Sequence, residues 1–357
     1  MNIATIGLDL AKSVFQAHGV DEAGKTVLVK KLHRKQMLPF FSKLPCLIGV
    51  EACATAHHWA RTLIAMGHDV RIIPPSYVKG YVKRGKSDAL DTEAISEAVA
   101  RPSSRWSAPA DGTIWGIVPR RRTRFVPVKT VEQQSILMAH RTRSLLVRQR
   151  TMSANALRAH LAENGLVANP GIANLVKLAD RAFADEALPA YAHRALEILI
   201  RRIAELTEEI GTLDQDLKAW HAGNEASRRL AAIPGVGVIT ATALAATVTD
   251  PDQFRSGRQF AAWLGLTPQQ HSTGGKTRLG GISKQGDRYL RRLLVVGATA
   301  VMRHAKRNPT PMTDWVNGLL EKKPFRIVSA ALANKLARIA WVLLTRGETY
   351  RPYGRPV

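Results

Sequence analysis

Short apolar runs alternate with amphipathic stretches along the first 100 residues of the chain. The runs with the length and alternation typical of β-strands are 3–10, 14–20, 26–32, 47–50 and 70–73. A turn sequence, Asp21 to Gly24, separates the second run from the third. Helical spacing over 36–44 and 54–66 precedes and follows the fourth run. This order predicts a mixed sheet flanked by helices.

Two long helical stretches follow in the middle of the chain. The first, from Val131 to Asn164, is rich in arginine. The second carries apolar residues in unbroken steps of three and four: Leu196, Leu199, Ile203, Leu206, Ile210, Leu213, Leu217 and Trp220. This heptad stripe predicts a coiled coil, and we expect it to pair across a dimer interface. One alternative is a coiled coil within the chain, with the helix from Val131 to Asn164 as partner, and another is a single amphipathic helix packed on the core of its own chain.

Ala-rich helices separated by glycine and proline fill the chain from about Ala231 onward. Between two of them, Ile233-Pro-Gly-Val-Gly237 is similar to the hairpin of a helix-hairpin-helix element. The backbone N–H groups of such a hairpin lie beside a helix N-terminus, where they can hold a phosphate. The predicted fold class is therefore α/β in the N-terminal part and mainly α in the rest.

The 357 residues include 52 Lys and Arg against 28 Asp and Glu, which gives a formal net charge of +24. So large a positive excess favours a polyanion as partner. We expect no membrane span, because charge interrupts the longest apolar runs, as Lys335 and Arg338 do between Ala330 and Leu344. The N-terminus lacks a signal-peptide pattern and only two cysteines occur, which predicts a cytoplasmic protein.

Four acidic residues stand at the ends of predicted strands or at the start of a predicted helix. Asp9 interrupts an apolar strand, Glu51 ends another, and Asp88 and Asp91 share one face of a helix that runs to Ala100. Carboxylates are the hard oxygen ligands that Mg²⁺ prefers. Taken singly, these residues also suit helix capping or the first helical turn. Asp9 fits capping least, because a carboxylate within an apolar strand is costly to bury unless it is paired or metal-bound.

The ordered set Asp9, Glu51, Asp88 and Asp91 resembles the Asp-Glu-Asp-Asp signature of the Piv/MooV-like insertion-sequence transposases. The C-terminal half carries motifs similar to a second block of that family. These motifs are Ile233-Pro-Gly-Val-Gly237, Phe260-Ala-Ala-Trp-Leu-Gly-Leu-Thr-Pro268, His271-Ser-Thr-Gly-Gly-Lys276 and Gly280-Gly-Ile-Ser-Lys-Gln-Gly286. The resemblance covers nearly the whole chain, with both blocks in the order that the family shows.

This resemblance implies a RuvC-type, RNase H-like N-terminal domain and DNA recombination as the activity. It implies that Asp9, Glu51, Asp88 and Asp91 bind Mg²⁺ or Mn²⁺ and that Ser272 is the nucleophile. The implied partners are double-stranded DNA at the element ends and target, a noncoding bridge RNA that selects the sites, and a second copy of the chain. It also implies that such homodimers assemble into tetramers, and we expect the protein in the bacterial cytoplasm, at the nucleoid.

Two serines compete for the role of nucleophile. A hydroxyl that is activated by a base or metal conserves the phosphodiester energy in a covalent intermediate. The alternative for Ser272 is a local turn hydrogen bond. Ser283 is the rival, and it equally suits the N-cap of a helix beginning near Gln285. The predicted nucleic-acid contacts, with solvated surface as the alternative, are Arg141, Arg143, Arg148, Arg150, Lys276, Arg278, Lys284, Arg288, Arg291 and Arg292.

The chain divides into five predicted segments. They are a RuvC-like catalytic domain at 1–102, an atypical insertion or flexible loop at 103–124, a helical linker and coiled coil at 125–224, a C-terminal transposase domain at 225–346 and a tail at 347–357. The stretch 104–123 has no counterpart in the family pattern. Its Trp106, Trp115 and Arg120 to Arg122 fit stacking and charge contacts with nucleic acid. The alternative is a tolerated surface loop.

Three functions fit these features. The leading one is an RNA-guided, Mg²⁺-dependent recombinase that moves an insertion sequence. A Holliday-junction-type endonuclease would need only the carboxylate domain, because water attacks in a simple hydrolase. A catalytically idle RNA- or DNA-binding protein would need only the basic charge and the long helices. Metal-dependent strand cleavage would distinguish the two enzymes from the binding protein. A covalent protein–DNA adduct would distinguish the recombinase from the endonuclease.

Overall fold

A computed structural model describes residues 3–42, 45–78, 81, 88–100, 125–167, 169–183 and 189–352. The chain forms two compact units, Met1–Thr130 and Val131–Val357. The predicted insertion at 103–124 lies outside the described residues. The predicted helical linker and C-terminal domain fall together in the second unit.

The first unit is built on a five-stranded mixed sheet. Its strands are β1 (Thr5–Asp9), β2 (Val14–Val20), β3 (Thr26–His33), β4 (Leu47–Glu51) and β5 (Asp69–Ile73). They lie in the order β3-β2-β1-β4-β5. The pairs β1/β2 and β2/β3 are antiparallel, and the pairs β1/β4 and β4/β5 are parallel. The predicted mixed sheet and its five strands are confirmed.

Helices cover both faces of this sheet. They are α1 (Met37–Phe41), which follows a 3₁₀ turn at Arg34–Gln36, α2 (Ala56–Ala65), α3 (Pro75–Val78) and α4 (Asp88–Ala100). On one face, Ile6 and Leu8 share a core cluster with Trp59 and Leu63 of α2. Side chains alternate along a strand, so Gly7 belongs to the opposite face, where α4 lies.

Residues 125–130 belong to the first unit rather than to the helical region predicted to start at 125. The Val126 N–H donates to the Ile72 carbonyl oxygen at 2.7 Å, which adds a bridge at the edge of β5. Arg61 Nη1 donates to the Lys129 carbonyl oxygen at 2.6 Å. These bonds attach the segment to the sheet and to α2, and the compact unit ends at Thr130.

The second unit is almost wholly helical. Its helices are α5 (Val131–Glu163), α6 (Ile172–Phe183), α7 (Ala190–Gly223), α8 (Glu225–Ala231), α9 (Val238–Thr247), α10 (Gly257–Trp263), α11 (Arg288–His304), α12 (Pro311–Leu320) and α13 (Phe325–Arg346). A two-stranded antiparallel hairpin, β6 (Pro268–Gln270) and β7 (Leu279–Ile282), lies between α10 and α11. The predicted division into an α/β part and a mainly α part is confirmed.

Helices α5 and α7 pack against each other in antiparallel orientation. Trp220 Nε1 donates to Glu132 Oε1 at 2.6 Å near one end, and Arg143 Nη2 donates to Asp214 Oδ2 at 3.1 Å further along. Every position of the stripe from Leu196 to Trp220 is buried or half-buried within the single chain. The structure therefore shows this stripe covered by helices of the same chain, whereas its pairing across a dimer interface stays a prediction.

The turn between α8 and α9 contains the predicted hairpin motif. Gly235 has a φ of 83°, and a Cβ there would lie 2.7 Å from the Gly297 carbonyl oxygen in α11. Ile233 and Val236 are buried in the core of the unit. The glycine therefore serves a close packing contact, and phosphate binding by this turn stays a prediction.

Helix α13 crosses the core of the second unit. Among the described residues it is the one helix with the length and apolar composition of a membrane span, although the sequence predicted none. Its buried positions, from Val328 to Leu343, contribute to the main core cluster of the unit. A core helix passes the same test of length and composition.

Candidate functional site

Asp9 and Glu51 end neighbouring strands at the carboxyl edge of the sheet in the first unit. Strands β1 and β4 are parallel, and their register pairs Gly7 with Gly49 and Leu8 with Val50. The next residue in each strand is the acidic one, so the two carboxylates belong to one sheet face. The fold thus brings together two residues that are far apart in the sequence.

Two glycines allow α4 to approach this same face closely. A Cβ at Gly7 would overlap the Thr92 carbonyl oxygen, and a Cβ at Gly49 would lie 2.8 Å from Val99 side-chain carbons. Neither strand position therefore accepts a larger residue without a shift of the helix. Asp91, which directly precedes Thr92, is carried by the first turns of that helix.

The close approach of α4 at Gly7 and Gly49 was not predicted, although the sequence contains a pattern that indicates it. Each stands two residues before an acidic residue, in Gly7-Leu-Asp9 and Gly49-Val-Glu51. Glycine within a strand often marks a close approach by another part of the backbone. The repeated pattern of glycine and acid at two strand ends therefore indicates where a helix crosses the sheet.

A buried histidine ties α4 to the sheet. His18 Nδ1 lies 3.0 Å from Ser96 Oγ, and that hydroxyl donates to the Glu93 carbonyl oxygen at 2.8 Å. The hydroxyl proton is thus in use, so His18 Nδ1–H is the donor and Nε2 accepts from Thr26 Oγ1 at 3.2 Å. This arrangement fixes the position of the helix that carries Asp91.

The fourth predicted carboxylate is that of Asp88. Asp88 begins α4, but its side chain lies outside the described residues. Within the described part of the chain, no three Asp, Glu, His or Cys side chains are grouped closely enough to hold a metal ion. Asp9, Glu51 and Asp91 offer oxygen donors only, the type that Mg²⁺ and Mn²⁺ accept. The donor chemistry and the sheet face that Asp9 and Glu51 share suit such an ion, but the described side chains do not form a cluster of three ligands.

Ser272 lies in the exposed loop between β6 and β7 of the second unit. Its Oγ accepts hydrogen bonds from Gln270 Nε2 and from the Arg278 backbone N–H, both at 3.2 Å. A bridge between Thr273 and Lys276 closes the tip of the hairpin. The local hydrogen bonding considered as the alternative is thus present. Two N–H donors directed at one hydroxyl oxygen also stabilise negative charge on that oxygen.

Ser283, the rival serine, is not a helix N-cap. Helix α11 begins at Arg288, and the Asp287 carboxylate caps it by accepting from the Tyr289 and Leu290 N–H groups at 2.8 and 2.9 Å. The predicted helix start near Gln285 is wrong for this reason. The Ser283 backbone N–H donates to the Thr267 carbonyl oxygen at 2.8 Å, next to the end of β7.

Two loops interlock at the base of the hairpin. Gly265 and Gly286 have φ angles of 71° and 72°, and a Cβ at either would overlap the backbone of the other loop. Arg291 Nη1 donates to the carbonyl oxygens of Leu264 and Gln285 at 2.9 and 2.7 Å. The Arg291 guanidinium therefore joins the two loops and is not a freely exposed contact for nucleic acid.

The ten predicted nucleic-acid contacts fall into two groups. Those engaged within the unit are Arg143 with Asp214, Arg150 with Thr207, Arg291 with two carbonyl groups, and Arg292 with Ser144 and the Tyr289 ring. The hydrogen bond to Asp214 is the main cause of a raised pKa at Arg143. The other six, all of them exposed, are Arg141, Arg148, Lys276, Arg278, Lys284 and Arg288. The second group is the better candidate surface for a polyanion.

His140 joins three helices in the core of the second unit. Its Nδ1 lies 3.0 Å from the Tyr289 hydroxyl of α11, and its Nε2 lies 3.0 Å from Thr242 Oγ1 of α9. Thr242 Oγ1 donates to the Val238 carbonyl oxygen, so the imidazole donates from Nε2 and accepts at Nδ1. Burial, assisted by the charge of Arg143, lowers the pKa of His140 to about 4. The ring is therefore a neutral structural group near pH 7.

Comparison with known proteins agrees with this architecture. Residues 227–312, which include the hairpin with Ser272, match the family model described as "Transposase IS116/IS110/IS902 family". A protein of Pseudomonas aeruginosa named as a family 20 transposase is 47% identical over 99% of this chain and 100% of its own length. The transposase for insertion sequence element IS1328 of Yersinia enterocolitica is 40% identical over 98% of this chain and 99% of its own length.

A third relative, the transposase for insertion sequence element IS1111A of Coxiella burnetii, is 39% identical over 98% of this chain and 92% of its own length. Similarity of this extent defines the class: the protein is a DNA transposase of an insertion sequence. More specifically, the chain belongs to the IS110/IS116 family of transposases.

Proposed function

We propose that this transposase cuts and rejoins DNA with a metal-binding set of carboxylates and a serine nucleophile. The observation that carries the proposal is the shared sheet face of Asp9 and Glu51, on which α4 packs through Gly7 and Gly49. This arrangement of strands and helix supports a RuvC-type, RNase H-like site. The family membership supports DNA as the substrate.

The four carboxylates Asp9, Glu51, Asp88 and Asp91 would hold Mg²⁺ or Mn²⁺. When bound, such an ion polarises a phosphodiester oxygen and offsets the charge that develops on it. The carboxylates stand on elements that cannot move independently, because the strands are paired and the glycine contacts fix α4. Such rigidity suits a site in which oxygen donors must keep a fixed spacing.

Ser272 Oγ attacks the phosphorus atom of one DNA strand. The new Oγ–P bond forms as one backbone P–O bond breaks, the hydroxyl proton passes to a base, and the leaving oxygen takes up a proton. Gln270 Nε2 and the Arg278 N–H stabilise the oxygen as its proton leaves. The resulting phosphoserine link conserves the phosphodiester energy, so a second DNA hydroxyl can reverse the step in strand exchange.

The partners follow from charge and family. A net charge of +24 supports binding to polyanions. We propose double-stranded DNA at the element ends and target as the substrate, and a bridge RNA as the guide that selects the sites. Assembly as a homodimer and tetramer is proposed from the resemblance alone, because the α7 stripe is covered within the chain.

A recombination assay on a short insertion element, combined with denaturing gels, tests the catalytic assignments. Asp9→Asn, Glu51→Gln and Ser272→Ala should each reduce strand exchange by roughly a thousandfold, and Ser272→Ala should still bind DNA. Ser283→Ala is the matched control and should keep most of the activity. Chelation of divalent ions should stop cleavage by the wild-type protein.

The covalent adduct distinguishes the competing mechanisms. It should be absent from Ser272→Ala and present in Ser283→Ala. The opposite result would transfer the nucleophile's role to Ser283. Metal-dependent cleavage without any adduct would indicate hydrolysis by water, as in a Holliday-junction-type endonuclease, and no cleavage by the wild-type chain would favour a binding protein.

A further inference from the structure

A groove of about 1800 Å³ runs across the second unit between the hairpin and helices α10, α12 and α13. Cationic side chains are the most frequent charged groups along it: Arg258, Lys284, Arg326, Lys335, Arg338, Arg346 and Arg351. Among the described residues that line the groove, the one acidic side chain is Glu348, which lies 3.8 Å from Arg346. The groove is therefore suited to a polyanion.

Apolar and aromatic side chains stand between these cations. Trp315 is 36% exposed, and the Lys335 ammonium lies 4.3 Å from the centroid of its ring. Leu279 and Ile327, which also line the groove, are 60% and 55% exposed. Large apolar side chains in such positions gain from contact with a flat apolar partner.

These two kinds of side chain together distinguish one form of nucleic acid from another. A duplex turns its phosphates outward and hides the faces of its bases, so it needs cations but offers nothing to an exposed tryptophan. An unpaired strand presents phosphates and base faces side by side, and proteins bind it by combining a positive groove with aromatic stacking. Both features occur in this groove.

We propose that the groove binds an unpaired segment of nucleic acid, with phosphates on the arginine side chains and bases on Trp315 and its apolar neighbours. Residues Leu279 to Ile282 of β7 line the groove, so the bound strand would run beside the hairpin that carries Ser272. The proposal deepens the proposed function and rests on it in one respect, since it supplies the strand on which Ser272 would act.

Equilibrium binding tests the groove separately from catalysis. The full chain is titrated, in EDTA and about 150 mM salt, against labelled dT20, U20 and a 20-base-pair duplex. Arg258→Glu with Arg338→Glu should weaken binding of the single strands at least about tenfold. Lys177→Glu with Lys218→Glu makes the same change of net charge on α6 and α7, away from the groove, and should cost less than about threefold. Since Ser272 would act on DNA, dT20 should bind at least as tightly as U20, and a clear preference for U20 would contradict the link between the groove and Ser272.

Tryptophan variants test stacking. Trp315→Leu should weaken single-strand binding about tenfold and leave duplex binding unchanged, and Trp315→Phe should restore most of the loss. If the groove pair and the control pair weaken binding equally, the groove is not the binding surface. If duplex and single strand lose affinity together and Trp315→Leu has no effect, the groove holds duplex phosphates and the proposal is wrong.

Folding is checked by circular dichroism and thermal unfolding of each variant. If the charge-reversed pair is unfolded, Arg258→Gln with Arg338→Gln takes its place and should weaken single-strand binding by about threefold or more. Unchanged affinity in that folded pair would also overturn the proposal. Strand exchange is not measured here, so a failure of the Ser272 mechanism leaves these outcomes unaffected.

Discussion

The two units hold their candidate chemistry in opposite ways. In the first unit, Asp9 and Glu51 end buried strands, under a helix that leaves no room for a Cβ at Gly7 or Gly49. In the second, Ser272 stands on an exposed hairpin whose base is held by two interlocked loops. The difference fits the two tasks, because oxygen donors to a metal need a fixed spacing, whereas a nucleophile that attacks a long polymer must be displayed.

The largest expected effect concerns the packing of α7 in the second unit. Ile203→Asp with Ile210→Asp places two carboxylates among buried side chains of α7, both less than 5% exposed. Lost apolar burial and unpaired charge should together lower the free energy of unfolding by about 6 kcal/mol or more, which unfolds the unit. Urea titration followed by circular dichroism measures the loss. Ile198→Asp, at a position of the same helix that is 50% exposed, is the control and should be tolerated.

A soluble, folded double variant would contradict the intramolecular packing of α7. If that variant changed from dimer to folded monomer, the stripe would lie at an interface between copies, as the heptad pattern first suggested. Sedimentation of both variants distinguishes these results.

Acid should destabilise the second unit through His140. The unfolded chain binds a proton at the ordinary histidine pKa near 6.5, but burial lowers the folded pKa to about 4. Stability is therefore full above pH 6.5 and falls as pH drops towards 4, by up to about 3 kcal/mol. His140→Gln should remove this part of the pH dependence, while the contribution of the carboxylates stays. Equal pH slopes of unfolding in the wild type and the variant would contradict the prediction.

The glycine contacts of the first unit give the next largest effect. Gly7→Ala or Gly49→Ala forces α4 away from the sheet and should cost about 2 kcal/mol in unfolding free energy. The rate of strand cleavage should fall by more than the loss of folded protein explains, because the helix that carries Asp91 is displaced. Gly211→Ala is the control: no atom lies within 4 Å of its added Cβ, so it should stabilise α7 by up to about 1 kcal/mol. Full activity in Gly7→Ala would show that the carboxylates do not require this spacing.

Most of the fold could be predicted from local patterns in the sequence. The alternation of apolar residues predicted the five strands. The turn at Asp21 was predictable because aspartate favours turns, and in the structure its carboxylate accepts from the Ala23 and Lys25 N–H groups. Asp9 and Glu51 were identified at strand ends, and parallel pairing of β1 with β4 then brings them to one edge. Features that depend on neighbours in sequence are predictable in this way.

Features that depend on a partner distant in the sequence could not be predicted from local patterns. The heptad spacing of α7 shows that one face is buried but not that α5 of the same chain covers it. Arg143 looked like a nucleic-acid contact until the fold placed Asp214 beside it. Ser283 and Asp287 both suit an N-cap, and only the start of α11 decides between them. Tertiary contacts select among local options that are close in energy.

The smallest predicted effect concerns the tip of the hairpin. Gly275 has a φ of 77°, with no atom within 4 Å of an added Cβ, so Gly275→Ala strains only its own backbone, by about 1 kcal/mol. That strain should open the tip locally, speed amide exchange near Thr273 and slow formation of the serine adduct, while the unfolding free energy of the unit stays within about 0.5 kcal/mol of the wild type. Gly286→Ala is the contrast, because its Cβ would overlap the Trp263 carbonyl oxygen at the base of the hairpin, and it should destabilise the whole unit. If both variants lowered global stability equally, the hairpin would be part of the core, and the difference between a half-buried carboxylate edge and a displayed serine would not hold.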